Sequence, residues 1–370
     1  MMLHLSVKRP PEPSTGAVAL EPADVVLIHG SSPVLSPDEE AKIRPAVREV
    51  QAWSDLVERA FRHRVAEAMY SNLSRLDLLG SCSARWRGAL ERAFLINDLV
   101  ISLLAEEEES LAGEIRRHGL KVALLDAPSL TMATYPEASP RHHESLELCV
   151  DNDRDFRLLD RCVVGLGYRS GVFDQRLWRI VGLAPHYVKN PIGVYHKPVR
   201  VTQLPRHVTS VYNGIALGSF ALHLRIRKTL VLSRSRSEPR GDTHVPSQAL
   251  AAYANRRLED TIALLCMRAY WDILVGRERQ LRYLFDVAAP IARFDGHVHW
   301  PTVYQSAQQC GTTAPLFYVL GQIQQILGLR IPHSFLEKIA CSAEFHNSDL
   351  GDFLPFLLDK PFVPAVDFEE

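Results

Sequence analysis

Between Gln175 and Ser237 the chain contains eleven lysines and arginines but not one aspartate or glutamate. Divalent cations such as Mg²⁺ prefer hard, anionic oxygen ligands. This interval therefore supplies no carboxylate to a metal site, whichever way its strands are registered. Its basic side chains either form ion pairs with acids elsewhere in the fold or contact an anionic ligand, since the formal net charge of the whole chain is only -1.

Other absences exclude several classes of protein. No apolar run approaches the roughly 20 residues of a membrane span, and Met1–Pro13 lacks the apolar segment of a secretory signal. The near-neutral charge argues against a dedicated nucleic-acid binder. The cysteines are scattered without zinc-type spacing, which predicts buried free thiols in a reducing compartment. We therefore expect a cytoplasmic protein with no membrane or nucleic-acid partner.

The apolar pattern predicts an α+β fold, in which a small β-sheet is flanked by N-terminal and C-terminal helical regions. Apolar residues recur at helical spacing from Trp53 onward, whereas Leu146–Val150 and Phe220–Ile226 have the pattern of buried or half-buried strands. The expected units are an irregular leader (1–35), an N-terminal helical region (36–118), an α/β core (119–232), a flexible linker (233–246) and a C-terminal helical domain (247–370).

A series of short landmarks follows a characteristic order along residues 40–332. They are a glycine followed by a strand and a turn at Gly119–Leu130, the pair Tyr135-Pro136, Arg141 before the next strand, an Arg-x-Leu-x-Asp helix at Arg282–Asp286, Trp300, and the sequence Leu-Gly-x-x-Ile-Pro at Leu327–Pro332. In this order the chain resembles the uncharacterised nucleotidyltransferase family of bacterial gene clusters, often found beside natural-product or capsule genes. The resemblance implies a small nucleotidyltransferase-like core with a mixed β-sheet.

The resemblance also implies a two-metal site, and this chain departs from it. In the family, the turn that contacts the triphosphate carries a lysine, and this chain has Asp126 at the position of that lysine. The family's Gly-Asp-x-Asp strand, whose carboxylates at i and i+2 share one face, has Ser145 and Glu147 here. The third carboxylate position corresponds to Ala221. We therefore expect the fold without its metal-dependent chemistry, and neither a metal nor another cofactor.

The resemblance implies that Asp126, Glu147 and His223 converge in the former metal cleft as catalytic residues. A carboxylate beside an imidazole forms a usable general acid–base pair. The expected substrate-binding residues are Ser129, Arg141, Ser145, Arg225 and Arg282. The leading hypothesis is a metal-independent tailoring enzyme of specialised metabolism. It would promote a cyclisation, elimination or rearrangement of a small-molecule or peptide-derived metabolite, including an anionic one.

Three alternatives stay open at this point. The site residues can have structural roles, with Asp126 capping a helix, His223 satisfied in the core and Glu147 paired with an arginine. A non-catalytic pseudoenzyme would instead bind a ligand or partner protein through the basic interval and Arg282. A divergent Mg²⁺-dependent nucleotidyltransferase would rebuild a weak metal site from Glu147 and a second carboxylate such as Glu144 or Asp174.

Overall fold

A computed structural model of the chain shows a helical body and a β-sheet. The described residues are 20–135, 140–150, 152–174, 179–181, 192–200, 219–228, 231–232, 243–244, 257–274, 280–309 and 311–342. The predicted linker is described only at 243–244, and the C-terminal tail beyond 342 lies outside the described residues.

The N-terminal part is a series of helices. They are α1 (Pro22–His29), α2 (Pro37–Glu49), α3 (Trp53–Arg62), α4 (Ala66–Arg75) and α5 (Ala84–Arg117), with a 3₁₀ turn at Leu79–Ser81 before α5. A capping box begins α2, because Ser36 and Glu39 each accept a hydrogen bond from the other's backbone N–H. The prediction of an irregular leader is wrong over α1, whose Val26, Leu27 and Ile28 are buried.

The central part is a five-stranded mixed sheet with accessory strands. The elements are β1 (Val122–Asp126), α6 (Pro128–Thr134), β2 (Ser145–Val150), α7 (Asp153–Gly165), β3 (Arg169–Ser170), β4 (Val172–Asp174), β5 (Arg179–Val181), β6 (Ile192–Arg200), β7 (Ser219–Lys228), β8 (Val231–Leu232) and β9 (Thr243–His244). The sheet order is β1-β2-β7-β6-β3, in which β2 and β7 are parallel and the other neighbours are antiparallel. The hairpins β4-β5 and β8-β9 form two further pairs.

The C-terminal part is helical again. Its helices are α8 (Leu258–Leu274), α9 (Leu281–Arg293), α10 (Trp300–Gln309), α11 (Thr313–Leu327) and α12 (His333–Ser342). Gly328 ends α11 at φ 64, a left-handed conformation that glycine adopts at no steric cost. The predicted α+β fold is confirmed.

Two hydrophobic cores organise these elements. The helices before and after the sheet share one core, which includes Leu56 of α3, Ile262 of α8 and Leu284 of α9. The second core lies under the sheet and contains Leu104 and Leu111 from the second half of α5. The N-terminal and C-terminal helical regions therefore pack together as one body, and α5 extends from that body across the sheet.

The period-2 pattern of the central strands gives the sheet one apolar and one polar face. The apolar face is built by Leu146, Leu148 and Val150 of β2 with Leu222, Leu224 and Ile226 of β7, and it packs against α5 and α7. The alternate residues of both strands point to the other face, which holds the predicted site residues. No helix among the described residues is long and apolar enough to cross a membrane. Cys82, Cys149, Cys162 and Cys266 are buried and not in disulfides.

Candidate functional site

The polar face of the sheet brings together most of the residues expected in a catalytic cleft. Asp126 of β1 lies opposite Glu147 of β2, after a bulge that follows Leu124. In the parallel pair β2-β7, Ser145 is paired with His223 and Glu147 with Arg225. Because register partners on neighbouring strands share a face, these side chains line one surface.

An arginine that the sequence analysis did not single out occupies the centre of this surface. The Nη2 atom of Arg268, on α8, lies 2.9 Å from Asp126 Oδ2 and 2.9 Å from Glu147 Oε2. Its Nη1 donates to the Leu125 carbonyl oxygen at 2.8 Å. One guanidinium group therefore bridges the two carboxylates that the fold brings together.

A second buried arginine extends this network. Arg141 donates from Nε and Nη2 to the two carboxylate oxygens of Asp286, on α9, at 2.6 and 2.8 Å, and from Nη1 to Asp126 Oδ1 at 2.8 Å. The Tyr135 hydroxyl also donates to Asp286 Oδ1 at 2.8 Å. Arg141 was predicted to contact an anionic substrate. Its planar fork is instead fully engaged by two carboxylates of the protein.

The network fixes the charge of its acids. Burial alone would raise the pKa of Asp126, but the guanidinium groups of Arg141 and Arg268 outweigh it and hold that pKa well below its ordinary value. Burial would also raise the pKa of Asp286, but its ion pair with Arg141 outweighs burial, and the pKa is lowered. Asp126 does not cap α6, whose N-cap residue is Ala127. A carboxylate held ionised in this way is a poor general acid or base near neutral pH.

His223 lies on the same face but does not form the predicted carboxylate–imidazole pair with Glu147. Its ring packs edge-on against His196 of β6, with 4.5 Å between the ring centroids. Burial, His196 and Arg225 lower the pKa of His223 to about 4, and no carboxylate is among the causes of the shift. The imidazole is therefore neutral at pH 7.

The remaining predicted contact residues lie in different surroundings. Ser129, on α6, is exposed, and its backbone N–H and hydroxyl both donate to Glu108 on α5. It fastens α6 to α5 and takes no part in the arginine–carboxylate network. Ser145 is buried at the start of β2. Arg225 is half-buried beside Glu147, and it therefore adds positive charge where a metal cleft needs negative charge.

The carboxylates proposed as substitutes for the missing ligands also lie elsewhere. Glu144 forms an ion pair with Arg64, which follows α3. Asp174 belongs to β4, which pairs with β5 in a separate hairpin and not with the five-stranded sheet. Glu144 is therefore held by a different cation from Arg268, which pairs with Glu147.

The residues present do not fit the pair of divalent cations that the fold family implies. Arg268 lies between Asp126 and Glu147, and His223 and Arg225 occupy the neighbouring strand. Among the described residues, no group of three His, Cys, Asp or Glu that includes either acid has its ligand atoms within 4.8 Å of one another. The cleft thus has cationic side chains where a two-metal site requires further anionic oxygens.

One group with metal-ligand chemistry occurs outside the cleft. Glu114 and His118 at the end of α5 and Cys162 on α7 place their ligand atoms within 4.8 Å of one another. This group is not apparent from the sequence, because Cys162 is distant from Glu114 and His118 along the chain. Glu114 also forms an ion pair with Arg117 at 2.7 Å.

One protein family matches this chain. The family model described as "Uncharacterised nucleotidyltransferase" matches residues 49–328, well over half of the chain. No curated protein and no solved structure matches. The matched range runs from α3 to α11 and includes the sheet and the whole arginine–carboxylate network.

Proposed function

This chain belongs to the uncharacterised nucleotidyltransferase family, and we propose that it is a member without metal-dependent nucleotidyl transfer, acting as a non-catalytic, ligand-binding protein. The observation that carries the proposal is the guanidinium group of Arg268, at 2.9 Å from both Asp126 and Glu147. In this chain a covalently attached cation balances the charges that would otherwise attract Mg²⁺.

Charge balance makes replacement of Arg268 by a metal unfavourable. Mg²⁺ would have to displace a buried guanidinium from two ion pairs, and breaking such pairs typically costs about 3–5 kcal/mol. The displaced Arg268 would also stay within the same site, where like charges a few ångströms apart repel. Glu147 is only 1% exposed, which leaves little room for the metal's retained water molecules.

The same geometry favours binding over catalysis. A general acid or base works best when its pKa is near the working pH and when it reaches the substrate. Asp126 is buried, with a pKa far below neutral, and the pKa of His223 is about 4. Glu147 is held by Arg268. None of the three predicted catalytic residues therefore combines an accessible position with a suitable pKa.

The proposed ligand is a small-molecule or peptide-derived metabolite with anionic groups, bound in the cytoplasm. The acid-free, basic interval supports this choice, because a local excess of positive charge favours anions. The family's association with natural-product gene clusters, which the sequence resemblance implies, suggests specialised metabolism as the setting.

The second candidate function is the metal-independent tailoring enzyme, promoting a cyclisation, elimination or rearrangement. One observation favours it: His223 is half-buried, neutral and next to Ser145, so that its imidazole is able to accept a proton. In this version His223 alone transfers the proton, while Asp126 and Glu147 position Arg268.

Calorimetry with ATP, in the presence and absence of Mg²⁺, tests the proposed function. We expect no magnesium-dependent heat in the wild type or in Glu147→Gln. A magnesium-dependent binding heat that Glu147→Gln abolishes, and that Glu109→Gln on the exposed face of α5 leaves intact, would instead support a working metal site.

Metabolite profiling separates the two candidates. Cells carrying His223→Ala should produce the same metabolites as the wild type if the protein only binds its ligand. Accumulation of a precursor in His223→Ala, with the folded protein present at wild-type level, would favour the tailoring enzyme.

A further inference from the structure

The group of Glu114, His118 and Cys162 connects the end of α5 with α7. Each of the three residues offers one ligand atom, and these atoms lie within 4.8 Å of one another. Both helices pack on the apolar face of the sheet, where Leu111 of α5 and Leu159 of α7 belong to the same core. The group therefore lies on the opposite side of the sheet from the arginine–carboxylate network.

The end of α5 fixes the position of His118. A Schellman motif follows this residue, in which the N–H groups of Gly119 and Leu120 donate to carbonyl oxygens near the end of the helix, at 3.2 and 3.0 Å. Gly119 is left-handed at φ 59, a conformation that glycine adopts at no steric cost. Glu114 lies four residues before His118, so that both side chains project from the same face of the chain.

The distances within the group fit metal ligands better than hydrogen-bond partners. Glu114 Oε2 lies 3.6 Å from His118 Nε2, which is too long for a hydrogen bond. Two such atoms, each about 2.1 Å from a tetrahedral Zn²⁺, would lie about 3.4 Å apart, and a thiolate sulfur would lie about 3.6 Å from either. Because Cys162 Sγ is within 4.8 Å of a ligand atom of both residues, it has to approach by at most about 1.2 Å.

Glu114 keeps one carboxylate oxygen for a metal. Its Oε1 pairs with Arg117 at 2.7 Å, whereas its Oε2 faces His118. The side chain of Arg117 is 70% exposed, so this pair stabilises the fold very little. Carboxylates that bind metals usually accept a hydrogen bond from a neighbouring group as well. The ion pair with Arg117 is therefore compatible with a metal on Oε2.

The three side chains favour one class of cation. A thiolate and an imidazole suit borderline and soft cations such as Zn²⁺, whereas Mg²⁺ and Ca²⁺ bind through oxygen atoms. Three protein ligands and one water molecule form a common tetrahedral zinc site. Cys162 is buried, with 8% of its surface exposed, whereas the side chain of His118 is 44% exposed. A cation can therefore reach the group from the His118 side.

We propose that Glu114, His118 and Cys162 bind one Zn²⁺, with a water molecule as the fourth ligand, and that this ion ties the end of α5 to α7. The thiolate of Cys162 is the ligand, so binding releases the thiol proton to solvent. The two helices both cover the apolar face of the sheet. Zn²⁺ would therefore stabilise the packing of the second core.

Titration of the full chain with Co²⁺, followed by absorption spectroscopy, tests this site. Co²⁺ occupies tetrahedral zinc sites, and a bound thiolate gives a sulfur-to-cobalt charge-transfer band in the near ultraviolet. We expect a saturable band, which excess Zn²⁺ removes by displacing Co²⁺. Cys162→Ser should abolish the band. His118→Ala should weaken Co²⁺ binding by at least about tenfold, since even the outer-shell partners of a metal are worth about 10–100-fold in affinity.

Two matched controls address other histidines and thiols. His333 forms a similar i,i+4 pair with Glu337 at 3.7 Å but belongs to no such group of three among the described residues, so His333→Ala should bind Co²⁺ like the wild type. Cys82→Ser removes another buried free thiol, just before α5, and should keep the band. Because His118 is exposed, His118→Ala should fold normally and keeps the test valid if Cys162→Ser does not fold.

Three results would overturn the zinc site: no thiolate band in the wild type, a band that persists in Cys162→Ser, or unchanged affinity in His118→Ala. None of them bears on the proposed function, because the three ligands lie outside the cleft of Glu147. Magnesium-dependent ATP binding that Glu147→Gln abolishes would overturn the proposed function and leave the zinc site standing.

Discussion

Replacing Arg268 with methionine should lower the free energy of unfolding by about 3–5 kcal/mol at pH 7. Methionine has a similar length but no charge, so Glu147, which is 1% exposed, loses the guanidinium at 2.9 Å, and Asp126 loses one of the two arginines that pair with it. Urea denaturation followed by circular dichroism measures the change, provided that the m-value stays constant.

A second substitution tests the cause of that loss. In Arg268→Met/Glu147→Gln the buried carboxylate that lost the guanidinium is replaced by a neutral amide, and we expect recovery of a large part of the lost stability. Arg257→Met is the matched control, because Arg257 precedes the same helix and forms an exposed pair with Asp260, which is worth less than about 1 kcal/mol. A loss in Arg268→Met no larger than in Arg257→Met would show that Arg268 does not hold the two carboxylates.

Acid should destabilise the protein well above the pKa values of its carboxylates, through His143. Burial and the neighbouring Arg141 lower the pKa of His143 from 6.5 to about 3, against the opposing effect of Asp126. Below pH 6.5, His143 therefore binds a proton in the unfolded chain but not in the folded chain. The stabilisation is complete above pH 6.5 and is lost at about 1.4 kcal/mol per pH unit as the pH falls toward 3.

Urea titrations at several pH values between 7 and 4 check this expectation. His143→Gln should flatten the pH dependence, whereas His118→Gln, at the exposed end of α5, should follow the wild type. His223 adds to the same slope, because its pKa is also lowered. An unchanged slope in His143→Gln would mean that this histidine does not titrate in the way its surroundings imply.

Much of the architecture follows from patterns within short stretches of sequence. The alternation in β2 predicted that Ser145 and Glu147 share a face, because residues at i and i+2 of a strand must. The order of landmarks predicted the family, which the match over residues 49–328 confirms. The capping box at Ser36 and the left-handed Gly119 after α5 are also local features, since each depends on residues within a few positions of one another.

The network in the site was not predictable in the same way, since it depends on contacts between distant segments. Arg268 is a lone charge within the apolar run of α8, and that position was the available signal that it is buried with partners. Nothing local indicates which acids it meets. The possibility that Glu147 pairs with an arginine was foreseen, but the identity of that arginine was not. The helix α1 was missed because its Pro- and Ser-rich surroundings mask a short buried segment.

A Mn²⁺ titration of the wild-type protein, followed by the electron paramagnetic resonance signal of the free ion, tests the bridging role of Arg268 most directly. If Arg268 takes the place of the divalent cation, Glu147→Gln and the wild type should give the same titration curve. A stoichiometric loss of the free-ion signal in the wild type, abolished in Glu147→Gln, would show that a metal binds at these carboxylates and would contradict the account.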